Sequence, residues 1–215
     1  MSLLALQGGA TGTGTVTVLA PVTSTNRTLT LPDVTDTVAG IGATQTLTNK
    51  TLSTGLVMGA SAITSGTSVA STSGTSIDFT GIPSWVKRIT MTLQGVSTNS
   101  TSNLLIQLGT SGGIVSTNYL GGGQSITSGT ATTSSTAGFT SRTTVGGAAG
   151  LTNGQLIITK LSSDVWVASG VMNQGANGLT WAGAVTGVGT VDRVRLTTVN
   201  GTDTFDAGTV NILFE

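Results

Sequence analysis

Threonine alternates with an aliphatic residue along much of this chain, and that period of two is what most limits its fold. In TGTVTVLAP, Val16 and Val18 alternate with Thr15 and Thr17. In RTLTLPD, Leu29 and Leu31 alternate with threonines until Pro32 ends the run. In KRITMTL, Ile89, Met91 and Leu93 face one way, with Arg88, Thr90 and Thr92 opposite. Successive side chains of a strand point to opposite faces, so such runs make half-buried strands and are out of phase with a helix. The residue types agree: glycine, threonine, serine, valine and asparagine disfavour helices, while threonine and valine favour the pleat. A nearly all-β chain with many turns is expected.

Ions contribute little. Charged residues make up 7% of the 215, against an average of about 25%. Eight basic residues scattered among eight acidic ones give no footprint for nucleic acid and no polybasic stretch for a membrane surface. A neutral surface of hydroxyls and amides does not repel copies of itself, and it suits a permanent assembly better than a free monomer. Cysteine and histidine are both absent. That removes disulfides and thiol chemistry, and with them Ser-His-Asp, Cys-His and histidine-based zinc sites. The opening MSLLALQGGATG has no charged leader and only a short apolar run. No stretch reaches the ~18 apolar residues of a membrane helix. Neither a signal peptide nor membrane insertion is expected; if the protein works outside a cell, it leaves by another route, such as lysis.

The chain reads as three parts. Residues 1–40 hold short strand segments cut by glycine and proline. They are too short for a core of their own, because an isolated hairpin is marginal in water. Identical chains are the simplest source of partners; if three copies wrap together, Leu29, Leu31, Leu47 and Leu52 are the candidates for the core of the stem. Residues 41–75 continue as stem and linker, with a turn at Asn49-Lys50 and a Ser/Thr/Gly-rich run over 61–76. Residues 76–215 hold every tryptophan, phenylalanine and tyrosine and read as a domain. Strands are expected at 76–79, 85–96, 103–109, 154–161, 164–173, 191–199 and 209–215, with a hairpin turn at Leu161–Asp164. The last strand, with Val210, Ile212 and Phe214 alternating, should be tied into a sheet. Seven such strands suggest an antiparallel β-sandwich, jelly-roll-like, following a short intertwined β stem.

Chemistry-bearing groups are few. No Rossmann context surrounds the glycines of GGIVSTNYLGGG, which read as a surface loop. No glycine stands at P-loop spacing before Lys50, Lys87 or Lys160. Asp33 with Asp36, and Asp203 with Asp206, are the only close carboxylate pairs considered for glycoside hydrolysis. Asp203 and Asp206 sit in a turn-rich context where aspartate bonds its own backbone. A calcium ion there is the other reading; no catalytic residue, cofactor or metal is assigned. Arg193 and Arg195 share a strand face, and with Asp203 and Asp206 they are candidates for ion pairs across a subunit seam. Trp85, beside Lys87 and Arg88, reads either as an anion or glycan contact or as a residue partly in the core. Trp166 fits sheet packing. Tyr119 and Trp181, with Asn118, Asn173 and Gln174, are candidates for glycan contact, since sugar sites combine a flat aromatic with amides.

Two stretches carry a resemblance. TVTVLAPVTSTNRTLTLPDVTDTVAG followed by ATQTLTNKTLSTG resembles the modular stems of tailed-bacteriophage virion proteins, including tail fibres and capsid appendages. TSIDFTGIPSWVKRITMTLQGVSTNSTSNLLIQLG resembles the opening of a C-terminal β-sandwich domain on such fibres. The resemblance implies a homotrimer with a short stem and a C-terminal knob on the virion surface. Its partners would be other virion proteins and a host surface glycan or protein. The expected role is non-enzymatic display on a short fibre. A capsid decoration protein is the alternative, and a virion-associated depolymerase or a cellular adhesin is further off.

Overall fold

In the computed structural model the described residues are 13, 14, 22, 24–26, 63–126, 132–140 and 150–215. The chain divides into two compact units, Met1–Leu56 and Val57–Glu215, and the fold below belongs to the second. The stem candidates Leu29, Leu31, Leu47 and Leu52 lie outside the described residues, as do Asp33 and Asp36.

Among the described residues there are strands and no α-helix. In chain order they are Thr64–Ser65 (β1), Val69–Ala70 (β2), Ser76–Thr80 (β3), Arg88–Thr98 (β4), Leu104–Thr110 (β5), Gly113–Ile114 (β6) and Tyr119–Ser125 (β7). There follow Thr132–Ser135 (β8), Phe139–Thr140 (β9), Thr152–Lys160 (β10), Trp166–Gln174 (β11), Asn177–Val185 (β12), Arg193–Thr198 (β13) and Phe205–Phe214 (β14). A large sheet runs β1-β14-β4-β10-β11-β12-β7-β8, with β2 also on β14. A small sheet runs β3-β13-β5-β6, with β9 also on β5. Their pairings are antiparallel.

The two sheets bury one shared core, the arrangement of a β-sandwich. Ile89, Met91 and Leu93 on β4 face Ile106 and Leu108 on β5 and Val194 and Leu196 on β13 within a single apolar cluster. The period-two reading of β4 holds residue by residue: Ile89 and Met91 are fully buried, while Arg88 is exposed. β14 is held between β4 and the short β1 and β2. Its end is pinned where Lys87 N–H and Arg88 N–H both donate to the Glu215 carbonyl, at 2.7 and 2.9 Å. Leu161 to Asp164 form the β10–β11 turn, with Leu161 N–H donating to the Val165 carbonyl at 2.8 Å.

Three elements differ from the sequence expectation. The glycine-rich stretch expected as a surface loop contains β6 and β7. The region around Trp181, expected as a loop tip, is the nine-residue strand β12. Both differ for one reason: the glycines make room for rings. A Cβ at Gly183 would meet the Gly121 Cα at 2.6 Å and the Phe139 ring at 3.2 Å. Within the run read as linker, β1 and β2 pair with β14, and Ser71 is fully buried with its hydroxyl donating to the Ala207 carbonyl at 2.7 Å.

Candidate functional site

The five residues proposed for glycan contact separate by burial. Trp181 and Tyr119 are 2% and 3% exposed. Both side chains belong to the face of the large sheet turned toward the small one, and this corrects their assignment to the surface. Tyr119 packs edge-on against Phe139, with centroids 5.1 Å apart. Its hydroxyl accepts a 2.8 Å hydrogen bond from Leu108 N–H of the opposite sheet. Burial pushes the phenol up to about 12, against the weaker opposing effect of that hydrogen bond. Gln174 is also buried, its amide donating to the Gly150 carbonyl at 3.1 Å.

Asn118 and Asn173 are exposed, but the register puts them at opposite ends of the large sheet. Asn118 precedes Tyr119, which pairs with Val185, whereas Asn173 pairs with Gly178 at the other end of β12. Asn118 holds a left-handed φ of 64°, and Asn173 donates to the Gly175 carbonyl at 3.0 Å. The five residues therefore form no common surface.

Each of the charged candidates has a hydrogen-bond partner within the chain. Arg195 on β13 lies opposite Asp78 on β3 in register. It binds that carboxylate through Nε and Nη2, at 2.7 and 2.8 Å. Arg193 binds its neighbour Asp192, with Nε to Oδ1 at 2.8 Å. These hydrogen bonds hold both guanidinium pKa values above their ordinary range. Asp203 is buried and organises a turn: one oxygen accepts from Ser102 N–H at 2.9 Å, and the other accepts from the Asn200 side-chain amide. Asp206 accepts from the Ser97 hydroxyl. The two carboxylates are thus engaged by separate donors. Among the described residues no group of three or more Asp, Glu, His or Cys could hold a metal ion.

Sequence reasoning underrated Trp85. It sits in a turn just before β4 rather than in the strand, and it is 54% exposed with its ring tilted on Phe214 at 6.1 Å. Trp166, by contrast, is buried as expected, with the Lys160 ammonium 5.7 Å from its ring centre. Pro83 ahead of Trp85 is the signal that could have placed it in a turn.

Two outer surfaces remain. On the small sheet, a polar hollow of about 290 Å³ is lined by Gln107, Arg195, Thr197, Asn200 and Ser76, with Val199 among its walls. Its groups are already engaged: Gln107 donates to the Ala137 carbonyl at 2.9 Å and Thr197 to the Thr75 carbonyl at 2.8 Å. On the large sheet, the outward positions of β10, β11, β12 and β7 carry no charged residue. Leu120, Val167 and Val171 stand exposed there. Two residues along β7 from Leu120, at Gly122, a second hollow of about 260 Å³ is lined also by Gln124, Thr133, Thr180 and Ala182, with Trp181 on its wall. An uncharged face of this kind suits a lasting contact with another protein surface better than chemistry on a small molecule. No family model, curated protein or solved structure matches the chain.

Proposed function

We propose that this chain is a structural protein of a tailed-phage virion: a homotrimeric surface appendage, anchored by its N-terminal part and displaying the C-terminal sandwich as a short fibre knob toward the host surface. The observation that carries this reading is the pairing of two unlike parts in one chain. The front holds the stem-like phrases up to TLTNKTL, and a separately compact unit, Val57–Glu215, follows it. The repeated passage of the chain between the two sheets, from β3 to β4 to β5 and again from β12 to β13 to β14, supports the jelly-roll-like reading of the knob. Display without catalysis accords with carboxylates that are engaged by turns and by arginines. The protein is made in the host cytoplasm and released by lysis, and its partners are copies of itself, other virion proteins and a host glycan or protein.

The uncharged face of the large sheet also favours a second reading, a decoration protein lying on the capsid. Two measurements separate them. Electron cryo-microscopy of intact particles should find the density projecting from a tail or a vertex, and particles lacking the protein should lose adsorption to host cells. Normal adsorption combined with fragile heads would replace the fibre by the decoration protein.

A further inference from the structure

We infer that the outward face of β10, β11, β12 and β7 is where copies of this chain meet, with Leu120 of one copy seated in the hollow between Gly122, Thr180 and Ala182 of the next. The inference deepens the homotrimer reading and rests on it.

Shape and charge both point to a second copy. Leu120 is 81% exposed, the most exposed large apolar side chain among the described residues of the sandwich. In register it continues a row through Ala184 to Val167, a low apolar ridge. The adjacent row runs Ser169, Ala182, Gly122, all small, and the hollow of about 260 Å³ opens there. That is room for a branched aliphatic side chain. Ridge and hollow lie on one face, so the same surface supplies both halves of the contact. Such a contact is isologous if the same two copies exchange ridge and hollow. It closes a ring of three only if each ridge enters a different copy from the one that fills its hollow, with a rotation of about 120° between copies.

With no charge at its outward positions, this face meets its own copy without like-charge repulsion or the desolvation of an unpaired ion. Three strands of nine residues and one of seven, about 4.8 Å apart, present roughly 550 Å². Two copies meeting over whole faces then bury about 1,100 Å², just above the ~1,000 Å² that a specific interface should clear. A glycan is a poorer occupant, because no tryptophan or tyrosine ring is open to solvent here: Trp181, which borders the hollow, is 2% exposed, Trp166 and Tyr119 are buried, and Trp85 lies in a turn outside this face.

The cysteine-free chain allows a direct test. In the full chain carrying Leu120→Cys and Thr180→Cys, the two thiols are four residues apart along paired strands, since Thr180 pairs with Gln124. That is about 14 Å, beyond the ~7 Å Cα limit for a disulfide within one chain. Mild oxidation should give covalent dimers and trimers on a non-reducing gel, with the parent chain trimeric by sedimentation. A trimeric parent without cross-links overturns the inference alone. So does a Leu120→Cys thiol that is open to maleimide in the free protein and protected only in the assembled particle, which would assign the face to a capsid partner. A monomeric parent overturns the trimer reading beneath it. Links that stop at dimers keep the face and remove the trimer.

Discussion

Tyr119 is the residue whose chemistry most exceeds what its neighbours in sequence suggest. Its hydroxyl joins the two sheets by accepting from Leu108 N–H, deep between them. Tyr119→Phe leaves that donor without a partner, a loss of roughly 1–3 kcal/mol, which urea unfolding near neutral pH would measure. The phenol also sets an alkaline limit. Its folded value is raised to about 12 from the ordinary 10.0. The fold therefore favours the neutral form, and that stabilisation is complete below the unfolded value and lost as pH climbs through the folded one. The loss amounts to about 2–3 kcal/mol. Because this is the only tyrosine, its ultraviolet titration reports directly. Phenolate absorbance should lag free tyrosine and rise together with unfolding, and the Phe variant should show a flatter alkaline limb. Gly208 makes a backbone case of the same kind. It holds a φ of 99°, and a Cβ there would fall 2.5 Å from the Gly95 carbonyl, where β4 and β14 shift register. Gly208→Ala should cost at least about 1–3 kcal/mol, seen as an earlier thermal midpoint.

Among the elements, β3 and β13 illustrate how little a good ion pair adds. Arg195 and Asp78 form a two-point contact in register, yet each side chain is 34% exposed, and solvent screens the pair. Replacing both by neutral Gln and Asn should cost about 0.2–1 kcal/mol. The buried Ile77 and Phe79, alternating with Asp78 on β3, hold the strand. A double-mutant cycle by chemical unfolding would measure the coupling. These elements were also the legible ones. β3, β4, β5, β10, β11, β13 and β14 all carry alternating or continuous apolar runs, and their positions follow from residue type within a few residues. β7 and β12 were not legible, because Gly121, Gly122, Gly123, Gly178 and Gly183 carry no hydropathy signal. Their reason for being strands is tertiary, since Phe139 needs a floor without side chains. The contact candidates failed for a related reason. A tryptophan amid glycines and amides looks exposed in sequence, but Trp181 stands on the inner face of β12 and is 2% exposed. Burial of Trp166 was legible from its alternation, and the exposure of Trp85 was not.

At the scale of the whole molecule, charge poverty becomes a measurable property. Eight basic and eight acidic residues in 215 leave the described sandwich with the ion pairs Arg88–Glu215, Arg193–Asp192 and Arg195–Asp78, each near the surface. Its stability comes from one apolar cluster shared by two sheets and from the antiparallel ladders. No histidine or cysteine is present, so few groups other than the chain's amino terminus titrate in the middle of the pH range. Thermal stability should therefore be nearly flat between about pH 5 and pH 9. It should also barely respond to salt between about 10 mM and about 1 M, although the screening length falls from about 30 Å to about 3 Å over that interval. Scanning calorimetry of the full chain in sodium chloride would check both. For a chain of this size 1 kcal/mol moves the midpoint by about 2–4 °C. A midpoint that dropped by more than about 5 °C with added salt would mean that ions hold the assembly together, against the uncharged contact face. If copies meet on the proposed uncharged face, the midpoint should be insensitive to salt but rise with protein concentration, because such association stabilises by mass action and is little screened.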